Sequence, residues 1–179
     1  MNSPNFEYEV INLEDPQMIN RGFRNIMLKL KGKLDSLVFC HGKFFSGKIK
    51  ETSILLFDNA LNINFRSYFH FISISTPFLK LSKGNVCFVT CILGKIPQNS
   101  TFLNSLTNSM LYSLVENSAL ELAPYGVRVN AVSPFAVKTD FRVGLNNFTE
   151  QENFDFMNEM EKFFVFGSEV IFIYEIIFI

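Results

Sequence analysis

The spacing of apolar and polar positions changes period several times along the chain, and each change predicts an element. Phe6, Tyr8 and Val10 alternate with Glu7 and Glu9, the period-two signature of a short strand. The period then becomes helical: Met18, Ile19, Phe23, Ile26, Met27 and Leu30 recur three and four apart, with Asp15 as a cap, Pro16 at the first helical position and Gly32 at the stop. "LDSLVFC" is a compact apolar run that predicts a buried strand, followed by a loop from about His41 to Lys50. The stretch "SILLFDNALNINFRSYFHFISISTPFLKLSKG" predicts a long helix with Phe57, Leu61, Phe65, Phe69 and Ile72 inward, kinked or divided at Pro77. "NVCFVTC", apolar on both faces, predicts a central parallel strand. A second helix from about Phe102 to Ala123 turns Leu106, Met110, Leu111, Leu114, Val115, Ala119 and Leu122 inward, and Pro124 and Gly126 end it before the strand "VRVNAVS".

Alternating strands and helices of this kind predict a parallel α/β sheet with helices on both faces. After Phe141 the pattern fades: a helix fits between Thr149 and Phe164 without a clean apolar face, and the tail "VIFIYEIIFI" is apolar and β-prone.

Composition narrows the function classes more than it selects one. A chain of 179 residues is enough for one domain with a substantial core. With 48% hydrophobic and 18% charged residues and a net charge of −1, it has no basic surplus to favour nucleic acid or an anionic membrane. Cys40, Cys87 and Cys91 are odd in number and without CxxC spacing, and His41 beside Cys40 has no partner at ligand spacing, so neither a disulfide framework nor a zinc site is indicated. A reducing, cytoplasmic setting is expected, since the N-terminus has no secretory pattern and no apolar run reaches the roughly 20 residues of a membrane span.

"ALELAPYGVRVNAVSPFAVKTD", residues 119 to 140, closely resembles the short-chain dehydrogenase/reductases, in which a helix, a tight turn and a strand lead to a Pro-Gly loop and a Thr. "GKLDSLV" is similar to the family's fourth strand, "NINFRSYF" to the start of its long interface helix, and "GNVCFVTCILG" to the strand that delivers the catalytic Ser, so the resemblance covers residues 6 to 141. It implies a Rossmann-like, doubly wound dinucleotide-binding sheet, NAD(P)-dependent oxidoreduction of carbonyls and alcohols, and dimers or tetramers. It also implies four site positions: a proton-donating Tyr, a Lys four residues later that lowers its pKa and holds the ribose, a Ser that orients the substrate oxygen, and an Asn on the proton path.

Counted back from Ala119 by the family's spacing, the Lys position is Asn108 and the Tyr position Asn104; the Ser position is Cys91, with Gly94 as the following Gly. Asn64 alone keeps its family residue. An amide neither ionises nor delivers a proton, so the resemblance places a site whose chemistry is absent. On the cofactor side, Asn12 matches the position that reads adenine, and Pro134 and Thr139 the loop near the carboxamide. The Gly-rich fingerprint does not occur, the family's Asn-Asn-Ala-Gly turn is Phe39-Cys40-His41-Gly42, and Phe135 follows Pro134.

The resemblance therefore predicts a partial sheet lacking the first βαβ unit: a partial domain over 1–145 that starts near the third family strand, and a divergent tail over 146–179. Its first strand either docks beside "LDSLVFC" or stays detached, leaving an apolar edge and a marginally stable chain. The expected chain is catalytically inactive, with NAD(P) as cofactor by resemblance only. The alternatives are a non-catalytic partner that forms homo- or hetero-dimers through the two long helices, or an incomplete gene product. On the residues alone, Asn104 and Asn108 read as solvated or capping residues, the sharper alternative being amides that bind a ligand hydroxyl. Asn64 reads as holding the helix bend, Cys91 as a buried small hydrophobe, and His41 as a strand-end histidine.

Overall fold

The computed structural model describes residues 7–134, 149–151 and 155, and the strand at 173–177 by its backbone. Thr139, Phe135 and most of the expected helix between Thr149 and Phe164 lie outside the described residues.

Helix α1 spans Pro16–Lys29, and its ends are as the sequence predicts: the Asp15 carboxylate accepts from the amides of Gln17 and Met18 at 2.8 and 3.3 Å, and Gly32 takes φ +76° just past the stop. The strand expected over 6–10 does not form in the described part, 7–10. Tyr8 and Val10 are 70% and 83% exposed. The stretch lies along α1 instead. Lys29 Nζ sits 3.1 Å from Glu7 and 3.3 Å from Glu9, and Ile11 presses onto Gly22, where a Cβ would lie 2.4 Å from the Ile11 side chain. Alternation makes a segment extended; only a neighbouring ladder makes it a strand.

Strands β1 (Ser36–Phe39), β2 (Asn85–Val89) and β3 (Arg128–Pro134) pair in parallel in that order, with Val38 opposite Cys87 and Cys87 opposite Asn130. Strand β4 (Ile173–Ile177) adds to β3 antiparallel, with an irregularity at Ser133/Pro134. Phe39, Val86, Phe88, Val129 and Ala131 form one buried cluster with Tyr68, Ile72 and Leu79 of one helix and Leu111, Val115, Ala119 and Leu122 of another. Phe39 stacks on Phe88 at 4.5 Å and on Tyr68 at 5.2 Å. The doubly wound arrangement is thus seen, in the described residues, chiefly from one side. On the opposite face Val38 is 58% exposed, not buried as the apolar run predicts.

The long helix is continuous but irregular: α2 (Ile54–Leu61) passes through a π turn (Asn62–Arg66) into α3 (Ser67–Ser82). The irregularity is not at Pro77, which sits inside α3. Pro77 and Ser73, whose carbonyl loses the missing N–H, are both exposed, so water can satisfy that carbonyl. Of the predicted stripe, Ile72 is buried and Phe57 and Phe65 pack against the core, but Phe69 is 55% exposed: the π turn shifts the inward face, which also buries Ala60, Asn64, Ser67, Tyr68, Ser75 and Leu79. Helix α4 (Phe102–Leu122) then packs over β3, and Gly126 at φ +77° turns the chain into that strand.

Candidate functional site

Beyond the C-terminal ends of β1 and β2, the fold gathers the π turn, the first turns of α4 and the loop from Cys40 to Lys48. Asn64, on the π turn, is 7% exposed. Its Oδ1 accepts from Lys43 N at 2.8 Å and its Nδ2 donates to Lys43 O at 2.7 Å. It therefore holds the loop across from the bend, not the bend's own backbone.

Asn104 repeats the arrangement from α4. Its Oδ1 accepts from Phe45 N at 3.1 Å, and its Nδ2 donates to Phe45 O at 2.6 Å. At 5% exposure it is neither solvated nor a cap, which corrects the bland expectation. The two amides grip residues 43 and 45 through both main-chain groups of each, as a ladder partner would. Phe44 and Phe45 are consequently buried, the latter clustered with Ala60 and Leu103.

Asn108 is half-buried, and its Nδ2 donates back to Asn104 O at 2.9 Å within α4. Cys91 is half-buried, just after β2. Gly94 comes so close to α4 that a Cβ would lie 2.7 Å from the Asn108 carbonyl carbon and 2.7 Å from the Tyr112 ring. Thr90 turns away from this side, its hydroxyl donating to Val132 O at 3.3 Å.

Three partners in this region have no signal in the sequence that spacing could find. Tyr112 is 4% exposed, and its hydroxyl bonds Ser133 Oγ and reaches Cys91 O at 3.3 Å, so its phenol is spent beneath the site. Ser67 donates to Ile63 O at 2.6 Å and lies 2.7 Å from His41 Nε2. Its one hydrogen being committed, His41 is the donor, in the neutral Nε2–H form. Tyr68 donates to His41 O and lies against the His41 ring, centroids 4.0 Å apart. Burial pulls the imidazole down to about 4 and pushes the Tyr68 phenol up.

Of the cofactor positions, Asn12 and Pro134 fall among the described residues and Thr139 does not. Asn12 is exposed, its Oδ1 accepting from Glu14 N at 3.0 Å and its carbonyl from Asp15 N at 3.2 Å, so it shapes the entry to α1. Pro134 is half-buried at the end of β3. Among the described residues no Gly-rich turn leads from a strand to a helix N-terminus, and the loop after β1 is filled by its own aromatic side chains. No group of His, Cys, Asp and Glu among the described residues could hold a metal ion, and no described helix is long and apolar enough to cross a membrane.

A groove of about 610 Å³ runs beside this region, with Lys48, Leu93, Phe102, Ser105 and Ser109 in its walls, but Asn64, Cys91, Asn104 and Asn108 do not line it.

The family model described as enoyl-(acyl carrier protein) reductase matches residues 4–164. Among curated relatives, the cis-2,3-dihydrobiphenyl-2,3-diol dehydrogenase of Pseudomonas putida is 34% identical over 116 residues, 62% of this chain and 42% of the relative. A chloroplastic tropinone reductase homologue of Arabidopsis thaliana is 31% identical over 61% of this chain and 34% of its own length. The chain spans well under two thirds of these relatives. Of solved structures, a Caenorhabditis elegans short-chain dehydrogenase/reductase with cofactor superposes with a TM-score of 0.76 at 26% identity, over 86% of this chain and 58% of that one. An NAD+-bound xylitol dehydrogenase shares the fold, with a TM-score of 0.69 at 21% identity over 79% of this chain and 58% of that one. The match to the family model over most of the chain, together with these relatives and the parallel sheet, establishes that the chain belongs to the short-chain dehydrogenase/reductase family.

Proposed function

We propose that this chain is a non-catalytic member of its oxidoreductase family, a pseudoenzyme that keeps the fold without NAD(P)-dependent carbonyl or alcohol oxidoreduction of its own. The observation that carries this is the state of positions 104 and 108. Both are amides, and both are bonded to main chain, Asn104 to Phe45 and Asn108 to Asn104. Neither can supply a proton or a tuning charge, and the loss of acid–base catalysis alone costs on the order of 10²- to 10⁴-fold in rate. Tyr112 is no substitute, because its hydroxyl is engaged in the interior. NAD(P) binding is weakened as well on this reading, since Asn108 lacks the charge with which the family's Lys holds the ribose.

The test is direct: the purified chain is assayed for NADH and NADPH oxidation with a panel of carbonyl substrates. No turnover above the protein-free rate is expected; turnover of any substrate at ordinary enzyme rates overturns the proposal. A second reading, a subunit that pairs through the outward faces of α3 and α4, is favoured by Phe69 and Leu120, large apolar side chains 55% and 68% exposed there. Sedimentation of the same preparation as a strict monomer, with and without an intact relative, removes it.

A further inference from the structure

Asn104 makes contacts that a vacated position would not. Its amide and that of Asn64 come from different helices and close on residues two apart, Phe45 and Lys43, each by a donor and an acceptor. The segment is tied a third time where Gly47 N donates to Ser100 O at 3.0 Å and Gly47 bridges Thr101, the residue before α4. Between these ties Phe44 and Phe45 are 8% and 5% exposed. The main chain of Phe45 thus lies directly on the side chain at position 104.

We propose that residues 43–47 form a strap and that Asn104 is its latch, holding the strap against the first turn of α4 by pairing with both main-chain groups of Phe45. The geometry is specific to a short amide. An Asp at 104 keeps the acceptor and loses the donor; an Ala loses both and leaves a buried N–H and C=O unpaired. A Tyr offers one oxygen at the end of a longer, rigid ring in place of the amide's separate donor and acceptor atoms, so it does not reproduce the pair. The latch stands independently of the catalytic reading.

Hydrogen exchange at individual amides of the full 179-residue chain tests it. In the unaltered protein the amide of Phe45 is expected to exchange as slowly as that of Lys43, and at least tenfold more slowly than that of the exposed Ser46. Asn104→Ala is expected to speed Phe45 exchange tenfold or more. Asn108→Ala, which removes a bond within α4 only, is expected to leave it within threefold. The latch is overturned if the wild-type Phe45 amide exchanges as fast as Ser46, if Asn104→Ala leaves it protected, or if Asn108→Ala speeds it equally. Should Asn104→Ala not fold, the wild-type comparison decides. Fast Phe45 exchange in a chain without turnover overturns the latch and leaves the preceding proposal standing.

Discussion

His41 shows how a single side chain becomes a term in the stability of the whole chain. It sits against Phe39, Tyr68 and Phe71, gives its one proton to Ser67, and is held neutral by burial, with its pKa pulled to about 4 from 6.5. The folded state therefore binds fewer protons than the unfolded state between those values. The His41 contribution is complete above pH 6.5 and is lost as pH falls toward 4, at up to about 1.4 kcal/mol per pH unit. Melting the wild type and His41→Phe across this range should show a steeper acid limb in the wild type; parallel limbs would assign the acid sensitivity elsewhere. Spacing alone located Asn64, Cys91, Asn104 and Asn108, because the family's intervals are preserved in the sequence. What those side chains do was not legible: Phe45 is 59 residues from Asn104 and Lys43 is 21 from Asn64, and no local pattern pairs them.

At the scale of elements, features governed by neighbouring residues were readable and those governed by distant ones were not. The cap at Asp15, the start at Pro16 and the stop at Gly32 are settled within a turn of the chain, and the structure has all three. Beyond Asn62, both Ile72 and Phe65 face the core as the period predicts, but Phe69 does not, because a π turn inserts extra rotation that a fixed 3.6-residue period does not carry, and Ser67 and Ser75 on the inner face are polar and give no apolar signal. Their hydroxyls are satisfied locally, by Ile63 O and Ile72 O, so burial costs little. Pro77 is the element's weak residue. Replacing it with Ala restores an i to i−4 bond on an exposed surface, and the gain of up to about 3 kcal/mol in helix preference is reduced by the roughly 0.4–1 kcal/mol that proline contributes by restraining the unfolded chain. Pro77→Ala should raise the midpoint of urea unfolding without changing its slope; a lowered midpoint would mean that the helix requires the proline's geometry.

Across the whole molecule the sheet is unevenly protected. The face toward α3 and α4 is closed by a single cluster from Met27 to Ala131, and Phe88, Leu79, Val115 and Val129 in it are fully buried. The other face and the outer edge of β1 are less covered, with Val38 at 58% exposure and the segment at 7–10 lying on α1 instead of extending the ladder. Such an edge is a template for pairing with another chain, which is the physical basis for expecting modest stability and a tendency to associate.

At the opposite end of the sheet, β4 covers β3 with the very segment that reads as most prone to aggregate. Paired antiparallel with Ala131, Val132, Ser133 and Pro134, residues 173–177 work as a stopper: hydrogen-bonding capacity that would recruit a neighbour is consumed inside the molecule. Trimming that apolar tail, the intuitive way to improve solubility, should do the reverse by turning β3 into a second open edge. A chain ending at residue 170 is expected to scatter light sooner, and at lower concentration, than the full chain on warming; a clearer solution would show that the tail is a burden to the fold and not its seal.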